Sequence, residues 1–337
     1  MLLSAVSLIL AVGVTLDGAQ LTADEVQRWK RIEPSVAYLL NGATVRGAAA
    51  LIDERGYFIA HRTVVGTQSS IRGRLSDGTT VRLRLAGSDE ATQLVLLVAE
   101  LWTGSARPAN AIAQEKNGER LFAVLPDGPI RAELSAGGKL GVLNPSRRVL
   151  SLSEVRFEDP SQVVGGALIF TQSGEFMGAL NATLQSPQQA TKSGFDNILP
   201  GAGGSAKAEA ADIAKRAVSQ RYGPAGLTVA YTAGPDALRR VIDGFRSPSR
   251  QVAHPALGVF CRDAGGEGAL VDSITPGSPA FASGLLQGDI IVEMAGVPIS
   301  NQMDYARELL RQTVGERIEL KYRRGGVLFR LTLIVGK

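Results

Sequence analysis

Pro160-Ser161-Gln162-Val163-Val164-Gly165-Gly166-Ala167-Leu168 runs into Ile169-Phe170, a turn around Gln172-Ser173-Gly174 and a second apolar run, Phe176-Met177-Gly178-Ala179-Leu180. A double glycine ahead of a buried hairpin makes a tight turn, because glycine lets the backbone bend and approach closely. The residue in front of the glycines is valine.

Upstream of this turn the pattern is dominated by short strands. Val36–Leu40, Ala48–Ile52, Tyr57–Ile59 and Val81–Leu85 are β-type runs, separated by turn residues at Asn41-Gly42, Glu54-Arg55-Gly56 and Asp77-Gly78. Leu94–Val98 is apolar at every position, the pattern of a strand buried on both faces. Further strands are predicted at Leu121–Leu125, Val149–Phe157, Ala167–Phe170 and Phe176–Leu180. Many short strands at regular spacing point to barrels or sandwiches. Ahead of them, Thr22-Ala23-Asp24-Glu25 forms a capping box that starts a helix ending near Ile32, before Pro34.

With 337 residues, the chain is long enough for two domains. Charged residues make up 20% and the net charge is +4, with basic residues interspersed among acids, so nucleic-acid binding is not expected. Cys261 is the single cysteine, which rules out an intramolecular disulfide and any multi-cysteine metal site. Only His61 and His254 are available for acid–base work, and no metal or cofactor constellation is present. Cys261 is expected to be buried and unreactive, and His254, beside Pro255, to face solvent.

Leu2–Leu16 is apolar and uncharged, too short to span a bilayer comfortably, and fits the core of a secretory signal over residues 1–20. The expectation is export to the periplasm or cell envelope, with membrane anchoring if the segment is not cleaved. Residues 185–226 are a change of texture: Pro, Gln, Ser and Gly up to Gly204, then an Ala-rich helix pattern over Ala206–Tyr222. A helix follows from Asp236 to about Phe245, with Pro235 in its first turn, and 247–251 reads as a linker. The domain predicted for 252–337 has strands near Ala256–Phe260, Gly268–Val271 and Gly288–Ile291. An amphipathic helix, Gln302–Gln312, carries Ala306, Leu309 and Leu310 on one face, and the hairpin Ile318–Tyr322/Leu328–Val335 closes the chain.

Leu257-Gly258-Val259, Thr275-Pro276-Gly277-Ser278-Pro279-Ala280, Gly284–Ile291 and the helix with Leu309-Leu310, in that order, resemble a PDZ domain of the type attached to HtrA-family proteases. The first part, residues 21–246, is similar to the HtrA protease domain at Gly47–Asp53, Gly56–Ile59, Val64-Val65, Leu75–Gly78 and Gly165-Gly166. The resemblance implies a mainly β fold: a chymotrypsin- or trypsin-like double β-barrel followed by an α+β PDZ domain. It also implies a loop near 185–226 that shapes a substrate pocket, expanded here.

The family's histidine position, seven residues after Gly56, falls on Thr63; its aspartate position falls on Gln93 and its nucleophile on Val164, or on Val163 if the extra residue before Gly165 is counted differently. A triad needs a nucleophile, a base and a group to orient the base, and none of the three matches. A displaced set of Ser161, His61 and Asp89 is the alternative, and would make the chain an active HtrA-type endopeptidase of protein quality control. The resemblance otherwise implies a pseudoprotease whose PDZ domain binds peptide C-termini or unfolded segments as a sensor, scaffold or chaperone. Such a peptide adds as a strand to a sheet edge, its carboxylate held by backbone N–H groups of Ala256, Leu257, Gly258 and Val259, with Met303, Ala306 and Leu310 as groove wall. It also implies a homotrimer, or a mixed oligomer with an active paralogue.

Overall fold

The computed structural model of the chain describes residues 21–104, 106–112, 114–143, 148–158, 164–181, 184–185 and 228–337. The signal-like segment, Ser161, Val163 and the helix pattern at 206–222 lie outside the described residues.

Helix α1 (Ala23–Ile32) begins as its capping box dictates. The Thr22 hydroxyl accepts from the Glu25 N–H, and the Glu25 carboxylate accepts from the Thr22 N–H. Its buried face sets Trp29 edge-on against Phe122 and Phe170, in the layer between two β-domains. A 3-10 turn at Glu33–Ser35 then leads into the first sheet.

Six strands form a closed barrel: β1 (Val36–Asn41), β2 (Thr44–Asp53), β3 (Tyr57–His61), β4 (Ser70–Arg74), β5 (Thr80–Ser88) and β6 (Leu94–Ala99), in the order β1-β2-β3-β6-β5-β4. β4 returns to β1, so this sheet has no edge to protect. Strands β2, β3 and β6 are buried on both faces, which is why their sequences are nearly continuous apolar runs. One face supplies the barrel interior with Leu39, Leu51, Phe58, Leu83 and Leu97. The other supplies Ile59, Leu94 and Leu96 to the layer shared with the second β-domain. Each fully buried Leu, Ile or Phe stabilises by about 1.5–3 kcal/mol relative to exposure.

The second β-domain is built from β7 (Arg120–Leu125), β8 (Gly128–Leu143), β9 (Val149–Phe157), β10 (Leu168–Thr171), β11 (Phe176–Ala179), β12 (Leu184–Gln185) and β13 (Thr228–Ala233). The order is β11-β10-β7-β8-β9-β13, with β12 on β8. Register shifts near Leu134 and Ala136 bend the long β8. The Asn181 N–H donates to the Tyr231 carbonyl (2.9 Å), bringing the two ends of the sheet together in a barrel-like curl. Helix α3 (Pro235–Arg246) follows, with Leu238, Val241, Ile242 and Phe245 in the layer between the β-domains.

The C-terminal domain has strands β14 (Val259–Asp263), β15 (Ala269–Ile274), β16 (Ile290–Met294), β17 (Val297–Pro298), β18 (Arg317–Arg324) and β19 (Val327–Ile334), with helices α4 (Pro279–Ala282) and α5 (Gln302–Arg311). The sheet order is β14-β15-β16-β18-β19, with β17 on β16. Asn301 caps α5 by accepting from the N–H groups of Met303 and Asp304. The expectation that Leu309 and Leu310 share a face is corrected. Leu309 packs into the core of this domain, while Leu310 packs against a cluster of the second β-domain that includes Leu143, Leu150, Leu152 and Ala237. Adjacent helical residues are about 100° apart, so a helix wedged between two domains sends them to different neighbours.

Candidate functional site

Two places in the fold carry the residues singled out by the sequence. The first is the cleft between the β-domains. β3 ends at His61, which caps the short helix α2 (Arg62–Val65): its Nδ1 accepts from the Thr63 N–H at 3.3 Å and lies 2.8 Å from the Thr63 hydroxyl. Burial, then the positive charge of Arg62, pulls the His61 imidazole down to about 4, so it is neutral at physiological pH. Its Nε2 is buried without a hydrogen-bond partner among the described residues.

The glycine turn lies directly against this helix. The Ala167 N–H donates to the Val164 carbonyl (3.1 Å), and the Gly166 N–H to that of Leu180 (2.7 Å). Gly166 has φ +87°, and a Cβ there would stand 2.5 Å from Val64 Cγ2 and 3.1 Å from Thr63 Oγ1. Only glycine fits so close an approach. Gln93 completes the convergence through its backbone, its carbonyl accepting from the Arg62 N–H (2.9 Å). It sits at φ +61°, and its side-chain amide turns back to the Glu90 carbonyl (2.6 Å). Thr63, Gln93 and the Val164 turn are therefore gathered around α2.

Asp89 is engaged elsewhere. Its Oδ2 accepts from the Thr92 N–H (3.0 Å) and hydroxyl (2.6 Å), and its Oδ1 meets His254 Nε2 at 2.9 Å. Burial pushes this carboxyl up, but the hydrogen bond and charge of His254, with the two Thr92 bonds, outweigh it and hold the group below its ordinary value. The expectation that His254 faces solvent is corrected: it is 6% exposed. A bond between residues 165 positions apart draws it in, and the Arg148 guanidinium caps the same segment by donating to the carbonyls of His254 and Pro255. Neither partner of this pair was readable in the local sequence.

The second place is the outer edge of β14, which pairs only with β15 among the described residues. Ala256 exchanges backbone bonds with Gly336 (3.0 and 2.9 Å). Leu257 is buried in the domain core, its carbonyl accepting from the Ala280 N–H, and the Gly258 carbonyl accepts from Thr275. The N–H groups of Leu257 and Gly258 have no acceptor among the described residues. Gly258 has φ +73°, and a Cβ would lie 2.2 Å from Ser278 Cβ. Across from β14 stands α5, with Met303 and Ala306 half-buried, and the Gln302 N–H pinned to Asp263 Oδ1 at 2.8 Å. Two free N–H groups at one end of an open strand edge are suited to a carboxylate. Leu310 lies at the far end of the helix, already against the second β-domain, and Arg240 donates to its carbonyl (2.9 Å).

Cys261 lies in β14, buried in the domain core, where burial and then the charge of Asp272 push its thiol up to about 12. No cluster of metal-ligating side chains occurs among the described residues, and no helix among them is long and apolar enough to cross a membrane.

The PDZ domain model matches residues 255–335. The chain is 24% identical over 303 residues to a protein of Synechocystis sp. named as the serine protease HhoA, a match spanning 86% of this chain and 70% of that one. It is 25% identical over 285 residues to the serine protease Do-like HtrA of Bacillus subtilis, covering 81% of this chain and 58% of the relative. Among solved structures it resembles the HtrA-type protease AlgW with decapeptide (TM-score 0.65, 17% identity, 93% of this chain and 98% of that one). It also resembles the serine endoprotease from Yersinia pestis (TM-score 0.61, 16% identity, 94% and 99%).

Proposed function

Since the chain has the fold and domain order of the HtrA family, with a PDZ domain at its C terminus, we propose that it is an exported pseudoprotease that binds peptide C-termini or unfolded segments. The single observation that carries this reading is the edge of β14, where the Leu257 and Gly258 N–H groups have no acceptor among the described residues and a Cβ at Gly258 would press on Ser278. A peptide would add as a strand to β14, its carboxylate on the Ala256–Val259 loop and its side chains against Met303 and Ala306, while Leu310, packed on the second β-domain, drops out of the groove wall. The solved relative with a bound decapeptide supports the choice of ligand class.

Loss of cleavage follows from chemistry at the cleft. Val164 has no nucleophilic atom, and Gln93 points its amide at its own turn. A general base works best with its pKa near the operating pH, and His61 is pulled down to about 4. The displaced alternative loses its orienting group, because Asp89 is spent on His254 and Thr92. In this reading the protein acts in the periplasm or envelope as a sensor, scaffold or chaperone, as a homotrimer or alongside an active paralogue.

The test is casein cleavage by the full chain with a fluorophosphonate serine probe in parallel. Neither cleavage nor labelling is expected. Labelling that disappears in Ser161→Ala would overturn the pseudoprotease reading and establish the displaced site.

A further inference from the structure

Strands β4 and β5 carry a charge pattern that a solvated sheet face normally avoids. Ile71 and Leu83 pack inside the first barrel. By alternation, Ser70, Arg72 and Arg74 of β4 and Thr80, Arg82 and Arg84 of β5 lie on its outer face. The register sets Arg72 directly opposite Arg82, with Ser70 opposite Arg84 and Arg74 opposite Thr80. Like charges placed directly opposite destabilise a sheet. Other ladders in the chain match them: Glu133 opposes Arg156, and Glu293 opposes Lys321. Lys321 also faces Arg330, but there the Glu293 carboxylate lies 2.6 Å from its ammonium.

On the β4–β5 face the charge is barely neutralised. All four arginines are exposed. Among the described residues, the carboxylate paired with any of them is that of Glu100, 3.8 Å from Arg82. Both side chains of that pair are well exposed, so it holds weakly. Asp77, in the turn between the strands, is turned onto the Thr79 N–H (2.8 Å). Arg72 donates to the Gly42 carbonyl at 2.9 Å, and Arg82 to the Ser70 hydroxyl at 3.5 Å. Most of each guanidinium's donors are left unspent. The Ser70 hydroxyl, accepting from Arg82, keeps its own proton to donate. A hollow of about 350 Å³ lies here, lined by Ser70, Ile71, Arg72, Thr80 and Arg82.

We propose that this hollow is an oxyanion site that takes a phosphate group, held by the Arg72 and Arg82 guanidiniums and by the hydroxyls of Ser70 and Thr80. A guanidinium fork matches phosphate oxygens two at a time, and the anion cancels the repulsion that the register builds in. Donors on both strands suit a tetrahedral group better than a planar carboxylate. Arg74 and Arg84 flank the opposed pair along the ladder and raise the local positive potential that draws the anion in. The site shares no residue with the β14 edge or the turn against α2, so it stands apart from the peptide-binding reading.

The test uses the full chain and two probes. Inorganic phosphate is titrated by calorimetry in chloride buffer, and phosphatidylcholine vesicles with and without phosphatidylglycerol are tested by co-sedimentation. Arg72→Gln with Arg82→Gln changes only exposed positions and should weaken binding at least about tenfold. Arg28→Gln with Arg239→Gln removes the same charge from exposed positions elsewhere and should change binding less than about twofold. Ser70→Ala with Thr80→Ala keeps every charge and should still weaken binding several-fold. Phosphate binding that depends on Arg72 and Arg82 supports the site with free phosphate as its ligand. Capture by phosphatidylglycerol vesicles alone, with the same dependence, supports it with a lipid headgroup as the source. Binding of neither probe, or equal losses in the two arginine variants, would overturn the proposal.

Discussion

The buried pair between Asp89 and His254 ties the first barrel to the segment that enters the PDZ domain, and replacing His254 by Leu tests how much depends on it. The side chains of His254 and Asp89 are 5% and 6% exposed. Removing one partner of a buried pair costs about 3–5 kcal/mol, because the other charge is left behind in a poorly solvated place. Thr92 keeps two bonds on Oδ2, so the expected loss is at the lower end, about 3 kcal/mol. The pH dependence has a definite sign. The folded-state pKa of Asp89 lies below its ordinary value of 3.8. Its stabilisation is therefore fully present above that value and is lost as the pH falls through the folded pKa. The part of the difference between wild type and His254→Leu that Asp89 supplies should shrink as the pH falls below about 4. Urea unfolding followed by the fluorescence of Trp29 and Trp102, both in the β-domains, measures it. Protease cleavage in the 247–251 linker should accelerate in the same variant. A loss below about 1 kcal/mol, or one unchanged down to pH 3, would refute the assignment of Asp89 as a charged partner.

Three further outcomes follow from the geometry. Gly258→Val sets a side chain at φ +73° and 2.2 Å from Ser278 Cβ, so it should distort the loop and weaken peptide binding at least tenfold, about 1.4 kcal/mol, by fluorescence anisotropy. Glu25→Ala removes a buried carboxylate that completes the α1 capping box and pairs with Arg131 at 2.8 Å; a loss of about 2–3 kcal/mol is expected in thermal or urea unfolding. Cys261, with its thiol raised to about 12, should resist a thiol reagent at pH 8 in the native protein and react fully once unfolded, as counted by mass spectrometry.

The parts of this fold that were legible in the sequence are those set by local physics. Thr22 and Glu25 announce the start of α1, and Pro235 the start of α3. The unbroken apolar run of β6 signals a strand buried on both faces. The resemblance of Leu257–Val259 and Thr275–Ala280 to a PDZ domain agrees with the family model over residues 255–335. What stayed hidden depends on distant partners. Nothing near His254 points to Asp89, 165 positions away. The division of Leu309 and Leu310 between two domains arises only when α5 is set against the second β-domain. The left-handed backbone of Gln93 likewise has no signature in its residue type, since glutamine rarely adopts it.

In the proposed function the Ala256–Val259 loop receives a peptide's terminal carboxylate. The most direct measurement is the affinity of the full chain for one apolar-ended peptide in free-acid and C-terminally amidated forms, repeated with Gly258→Val. The free acid should bind at least tenfold tighter than the amide, and Gly258→Val should abolish the difference. Equal affinity for the two forms, or a preference that survives Gly258→Val, would contradict it.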